Sequence, residues 1–429
     1  MANKTVEFVI RAGLCTGCGT CVALCPKEAI TITIDKRKGT YIPKLDRDKC
    51  NNCGTCYKIC PGHEVNFREL NFDIFGKDTD DALIGNHINL YSGHSTNSNI
   101  RYNSSSGGLV TQFLIFALEE RIIDGALVIR MNKDNPLEPE PFIARTKEEI
   151  IKASKSKYCP VPANISLKEV LEAKNGEKFA VVGLPCHIQG IRKAEQINKY
   201  LKNNILLHIG LVCNHSPTFL ATEFVLKKKK IDKADIKGLE YRGNGWPGEM
   251  NIYRKNKPDV HVPQFSSDYW GLIFSSFFFP FRCMLCYDKV CGLSDASFAD
   301  AWTRKLMKND NIGTSLVISR NETFEDVLNL AISKGKIELK KVDRSIVVQS
   351  QGLCSVKKKS SARIKIMKII GRKVPEYHQN LQEASCVDYI SALSLYIKNS
   401  LSSKRDLWYL VELYQNLVET RKYFKQKLF

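Results

Sequence analysis

Two cysteine runs near the N-terminus constrain the fold more than anything that follows them. "CTGCGTCVALCP" (residues 15–26) and "CNNCGTCYKICP" (residues 50–61) share the spacing C-x2-C-x2-C-x3-C-P, which is the bacterial ferredoxin run. Three closely spaced cysteines of one loop reach three irons of one cubane, and the fourth crosses to the neighbouring cluster. The predicted ligand sets are therefore Cys15, Cys18, Cys21 and Cys60 for one 4Fe–4S cluster, and Cys50, Cys53, Cys56 and Cys25 for the other. Gly17, Gly19 and Gly54 let the backbone come close to the sulfides, and Pro26 and Pro61 turn the chain away after each fourth cysteine. A pair of structural zinc sites is the competing reading, but zinc motifs do not usually double this spacing with a proline after each run.

The rest of the composition sets limits. The chain has 429 residues, which predicts two or three domains, and its 16 cysteines cluster as metal ligands do in a reducing compartment. No stretch approaches the roughly 18 uninterrupted apolar residues of a membrane span, and "MANKTVEFVIRAG" lacks the features of a secretory signal, so a cytoplasmic protein is expected. The formal charge of +19 overstates the true balance, because each oxidised 4Fe–4S core with four thiolates carries about −2. A basic surface still steers acidic partners. Nucleic acid is not expected among them, since no binding motif accompanies the charge.

Five segments are expected: a two-cluster ferredoxin domain (1–65), a linker (66–98), an α/β stretch in two parts (99–180 and 181–350), and a basic helical extension (351–429). The fold class is α+β and multidomain. "LVTQFLIFALEERI" has helical periodicity, while "DGALVIRM", "KFAVVGLP" and "NILLHIGLVC" read as buried strands. Residues 356–429 hold 15 Lys and Arg against 6 Asp and Glu, on amphipathic helices suited to capping the second domain or to peripheral membrane or partner contact.

Three motifs carry chemistry beyond the ferredoxin unit. "NSSSGGLVTQFL" runs from a Ser- and Gly-rich turn into a helix, so Ser105, Ser106, Gly107 and Gly108 offer either an anion site for a cofactor phosphate or a simple helix cap. Lys157 and Tyr158 of "SKYCPV" are candidates for contact with the same cofactor. Cys186 and Cys213 each follow an apolar strand, and "RCMLC" adds Cys283 and Cys286. These four thiols are enough for a third 4Fe–4S cluster, with zinc or core packing as alternatives and Cys291 as a spare ligand. His187 and His215 lie beside these cysteines as outer donors. "RGNGWPG" formally contains G-x-G-x-x-G, but a strand and not a helix is expected after it, so it is not read as a dinucleotide fingerprint. No residue is assigned as catalytic acid or base.

The order of "NSSSGGLVTQFL", "SKYCPV", "GLPCHIQGIRK", "GLVCNHSP", "RCMLCYD" and "ASFADAWTRKL" resembles the coenzyme F420 hydrogenase/dehydrogenase beta-subunit family, up to about residue 350. That resemblance implies a mixed α/β flavin-binding domain holding FAD beside a 4Fe–4S cluster, and hydride exchange with a 5-deazaflavin coenzyme or another small acceptor. It implies an iron–sulfur flavoprotein oxidoreductase that passes electrons between ferredoxin-type clusters, a redox partner protein and coenzyme F420. The ferredoxin fusion is also similar to relatives associated with surface polysaccharide synthesis, so the same machinery acting on such an intermediate is an alternative, and a non-catalytic electron relay is another. Where the family signature is expected to read Gly-Asp-x-Trp-Gly, this chain has Ala299 and Thr303 in place of the glycines, retaining Asp300 and Trp302.

Overall fold

The computed structural model describes residues 4–79, 81–174 and 176–427. The N-terminal unit is built on the cysteine repeat. Each run turns at a left-handed glycine, Gly19 (φ 89°) or Gly54 (φ 76°), directly into one short helix, Thr20–Ala23 or Thr55–Lys58. A side chain is strained in that conformation, so glycine is required. A hairpin of β1 (Ile30–Asp35) and β2 (Thr40–Leu45) closes the unit.

The main body is an eight-stranded mixed sheet. Its strands, in chain order, are β3 (Asn89–Ser95), β4 (Gly125–Met131), β5 (Pro139–Ala144), β6 (Phe179–Gly183) and β7 (Ile205–Leu211). A separate antiparallel sheet then intervenes, made of β8 (Ile236–Glu240), β9 (Glu249–Arg254) and β10 (Val260–Pro263). The main sheet is completed by β11 (Ala296–Asp300), β12 (Ser315–Ser319) and β13 (Ile337–Lys341). Its spatial order is β13-β3-β12-β11-β7-β6-β4-β5. The central strands β11, β7, β6 and β4 run parallel, and the flanking pairs are antiparallel. The parallel strands are near-continuous apolar runs because both their faces are covered. The helix Leu109–Glu119 is buried over most of its surface, which explains why it is apolar nearly all round. The stretch after "RGNGWPG" forms β9, a strand and not a helix.

One polar cluster lies within this core. His208 of β7 bonds Glu195 at 2.7 Å and Asp295 at 3.1 Å, while Arg192 bonds the same two carboxylates at 3.1 and 2.7 Å. Two cations and two anions thus satisfy one another in a buried square.

The chain ends in the helices Leu353–Ile369, Cys386–Ser402 and Trp408–Lys427. They pack on the body through Trp408, whose ring meets Phe224 at 5.5 Å and Phe278 at 6.0 Å. The Ser402 hydroxyl accepts the Phe278 N–H at 3.0 Å. Val387, Ile390, Leu393 and Ile397 leave an apolar stripe exposed on the second helix. No described helix is long and apolar enough to cross a membrane.

Candidate functional site

The cysteines of the N-terminal unit fall into two groups. Among the cysteines, Cys18, Cys15 and Cys60 act most strongly on the Cys21 thiol, followed by Cys56, and Cys25, Cys53 and Cys50 act on the Cys56 thiol. The fourth cysteine of each run therefore sits with the other run's trio. Backbone N–H groups point at the sulfurs: Gly17 to Cys15 at 3.4 Å, Gly62 to Cys60 at 3.3 Å, Ala29 to Cys25 at 3.3 Å and Val6 to Cys56 at 3.3 Å. Burial, then repulsion from Cys18, pushes the Cys60 thiol up to about 11; bound iron deprotonates such a thiol outright. Thiolates around one zinc would stand about 3.8 Å apart, from a Zn–S bond of about 2.3 Å in tetrahedral geometry. Among the described residues no three cysteine sulfurs lie within 4.8 Å of one another.

A third group forms across the body. The Cys186 thiol, raised mainly by burial, has Cys18, Cys283, Cys213 and Cys286 as its charged neighbours. Cys186 lies in the first turn of the helix Pro185–Glu195 and Cys213 just beyond β7, so two parallel strands deliver them to one end of the sheet. Cys283 lies in the short helix Phe281–Met284, and Cys286 follows it. Cys291 is fully buried, and Asp288 and Arg320 act on it more strongly than Cys213 does.

The surroundings of this third group are cationic. Arg282, Lys289 and Arg363 are buried and all feel Cys283 and Cys286. Their hydrogen bonds go to uncharged oxygens: Arg282 to the Gly62 and Pro61 carbonyls, Lys289 to the Asn214 carbonyl, Arg363 to the Lys359 carbonyl and the Ser360 hydroxyl. The nearby Asp288 carboxylate accepts from Gln189 and from the Gly292 N–H. Buried charge is costly unless it is paired. Four thiolates on an iron–sulfur core would carry about −2 and could serve this cationic shell as a counterion.

Beside this group opens a cavity of about 380 Å³. It lies at the carboxyl ends of the parallel strands, with Ile129 of β4, Gly183 of β6, Leu211 of β7 and Asp300 of β11 in its wall, the position at which open α/β sheets bind ligands. Cys213 lines it, so the third cysteine group and the cavity share a wall.

Ser105, Ser106, Gly108, Lys157 and Tyr158 all line the cavity, and Gly107 does not. Gly107 instead lets the turn pack against the sheet, since a Cβ there would stand 2.6 Å from the Gly93 carbonyl. No side chain caps the helix Leu109–Glu119; the Ser104 hydroxyl donates back to Ile100 at 2.7 Å. The first-turn residues Leu109, Val110 and Thr111 line the cavity with positive helix-end dipole behind them. Lys157 has its ammonium on the carbonyls of Ala153, Ser154 and Lys155 at 2.6, 2.6 and 2.9 Å, and burial lowers its pKa to about 7. His187 holds the start of the helix Pro185–Glu195, accepting from the Leu184 N–H at 3.2 Å and facing the Val161 carbonyl at 3.1 Å; burial lowers it to about 4. The His215 ring, lowered by burial to about 3, stacks on Phe279 with centroids 3.5 Å apart and contacts the Phe274 carbonyl.

Several residues here had no signal in the sequence. Arg242, 1% exposed, donates to Asp300 at 2.8 Å and to the Tyr158 hydroxyl at 3.3 Å. Asn164 and Thr20 join the ferredoxin unit to the body, and Lys193 donates to the Cys60 carbonyl at 3.1 Å. Each works through a partner distant in sequence, which local pattern does not encode.

Three stretches of the chain match known protein families. Residues 14–63 match the 4Fe-4S dicluster domain. Residues 90–168 and 176–345, together more than half of the chain, match the N-terminal and C-terminal parts of the coenzyme F420 hydrogenase/dehydrogenase beta subunit. The chain is 27% identical over 271 residues to coenzyme F420 hydrogenase subunit beta of Methanothermobacter thermautotrophicus, covering 61% of this chain and 87% of that protein. It is 27% identical over 375 residues to coenzyme F420-dependent sulfite reductase of Methanocaldococcus jannaschii, covering 80% of this chain and 50% of that protein. Its fold is similar to that of a chain in the F420-reducing [NiFe] hydrogenase complex from Methanosarcina barkeri, with a TM-score of 0.54 and 22% identity over 70% of this chain and 98% of the other. The two matched halves and the dicluster unit ahead of them lead to one conclusion: the chain is an iron–sulfur oxidoreductase subunit that belongs to the coenzyme F420 hydrogenase/dehydrogenase beta-subunit family.

Proposed function

We propose that this chain passes electrons between its ferredoxin clusters and a hydride-carrying small molecule bound in the cavity, with FAD as the resident cofactor and coenzyme F420 as the first acceptor to test. The observation that carries this reading is an unbroken series of thiol groups. Cys213 lines the cavity, its partner Cys186 neighbours Cys18 of the first ferredoxin set, Cys21 of that set neighbours Cys56 of the second, and Cys53 of the second set is exposed. Such a series suits single-electron transfer from a buried redox site to a partner protein at the surface.

The residues fit a flavin dinucleotide. The uncapped end of the helix Leu109–Glu119, with Ser105 and Ser106 beside it, suits phosphate oxygens, and Trp270 and Tyr158, with ring centroids 4.7 Å apart, offer an aromatic wall. When bound, the flavin supplies the exchange between two-electron hydride chemistry and one-electron transfer. Cys186, Cys213, Cys283 and Cys286 would hold the adjacent 4Fe–4S cluster, inside the shell of Arg282, Lys289 and Arg363. A cavity of this size next to the cysteines favours an oxidoreductase over a bare electron relay.

The test is to quantify iron, sulfide and released flavin on one anaerobic preparation, then to mix it with reduced F420. About twelve irons and one FAD per chain are expected for three cubane clusters. About eight irons and no flavin would overturn the proposal. Reaction with reduced F420 in stopped flow identifies that coenzyme as the hydride carrier, and its complete absence removes it as the substrate.

A further inference from the structure

One residue in the cavity wall makes a demand that phosphate does not meet. Gln264 lines it, is 1% exposed, and has a side-chain oxygen with no hydrogen-bond partner. Its backbone is fixed, the N–H donating to the Gly248 carbonyl at 3.0 Å and the carbonyl accepting the Trp270 N–H at 3.1 Å. An orphaned buried acceptor is uncommon in folded proteins and calls for an explanation.

The surroundings restrict what can satisfy it. Trp302 and Trp270 line the same cavity, and Trp246 and Phe265 back Trp302 with centroids at 4.8 and 5.8 Å. Asp300 has its charge matched by Arg242 at 2.8 Å and also faces the Trp246 indole N–H at 3.3 Å. Lys155 is paired with Glu240 at 2.7 Å, and the Lys157 ammonium is taken up by carbonyls. An anionic group would therefore find no uncommitted cation among these lining residues, and it would leave the Gln264 oxygen without a donor. An aliphatic group would leave the Gln264 oxygen without a donor. A carboxamide presents an acceptor beside a donor, and its complement is a flat group with an N–H beside a carbonyl.

We propose that Gln264 reads the imide or lactam edge of a planar, uncharged heteroaromatic ring seated against Trp302. The proposal deepens the redox reading of this cavity and rests on it for what the ring does, though not for its being bound. Two sources have such an edge: the resident flavin, or a ring that exchanges in and out as substrate.

The full-length, anaerobically purified chain tests this with lumiflavin and 3-methyllumiflavin, in which the imide N–H is blocked. Affinities are read by fluorescence quenching and flavin content by release. Wild type should bind lumiflavin about tenfold more tightly than the methylated probe, the worth of one buried hydrogen bond. In Gln264→Leu that preference should vanish with flavin content unchanged if the ring exchanges. If the ring is the resident flavin, flavin content should instead fall severalfold. Iron content and the unfolding midpoint report whether the variant is folded. Gln264→Met, which keeps the length of the side chain and removes both polar atoms, gives the same readouts should the leucine variant fail to fold. A folded variant with unchanged flavin content and unchanged probe preference overturns the proposal. A wild-type chain that carries no flavin yet prefers lumiflavin defeats the FAD reading and leaves this one standing.

Discussion

The Asn164 amide donates to the Thr20 hydroxyl at 2.8 Å, and that hydroxyl lies 3.2 Å from the Cys18 sulfur. The same amide donates to the His187 carbonyl at 2.9 Å, one residue past Cys186. One buried side chain thus ties the first ferredoxin loop to the helix that presents the third cysteine group. Asn164→Ala should lower unfolding stability by about 1–3 kcal/mol, because buried polar groups lose their partner. It should also slow electron transfer between the body and the ferredoxin unit. Chemical denaturation and stopped-flow absorbance check the two effects.

The third cysteine group predicts an iron count. Cys283→Ser should remove about four of about twelve irons and leave the ferredoxin pair intact. Iron analysis checks this, and an unchanged count would rule out Cys283 as a ligand. Arg363→Met should keep the iron and lower the midpoint potential of that cluster, because one buried positive charge that favours the reduced, more negative state is gone. A redox titration followed by electron paramagnetic resonance gives the sign.

The buried square of His208, Glu195, Asp295 and Arg192 predicts a pH profile. Burial and the Arg192 charge oppose protonation of His208, but Glu195 and Asp295 outweigh them and hold its pKa above the ordinary value. A raised pKa contributes stability below the unfolded value of about 6.5, and that stability is lost as pH rises through the folded one. For Asp295, burial is outweighed by Arg192 and His208, and its pKa falls to about 2. Its contribution is present above the unfolded value of about 3.9 and is lost on acidification towards about 2. Both contributions are therefore complete only between about pH 4 and 6.5. His208→Gln should cost about 3–5 kcal/mol, as removing one partner of a buried ion pair does, and should flatten the alkaline side of the profile. Unfolding midpoints from pH 4 to 9 check this.

The Ser105 hydroxyl accepts the Ser156 N–H at 2.7 Å and so joins two walls of the cavity. Ser105→Ala should loosen flavin retention by about tenfold, the worth of one such bond, with iron content unchanged. Flavin released per iron measures it.

Local features are legible in the amino-acid sequence itself. The doubled cysteine spacing determines two Gly-turned loops, because only certain backbone geometry brings three thiols to one cubane. The apolar runs from Gly125 and Phe179 determine buried strands, and the periodicity after Gly108 determines a buried helix. The linking of distant residues is not legible in this way. That Cys186 faces Cys18 while Cys291 turns to Asp288 depends on the order of β11, β7 and β6 in the sheet, and strand order is set by packing across the whole chain. Gln264 and Arg242 are ordinary polar residues in sequence. Only the tertiary structure buries them, leaving one with an unanswered oxygen and the other on Asp300, because burial is what turns a polar group from solvated to demanding.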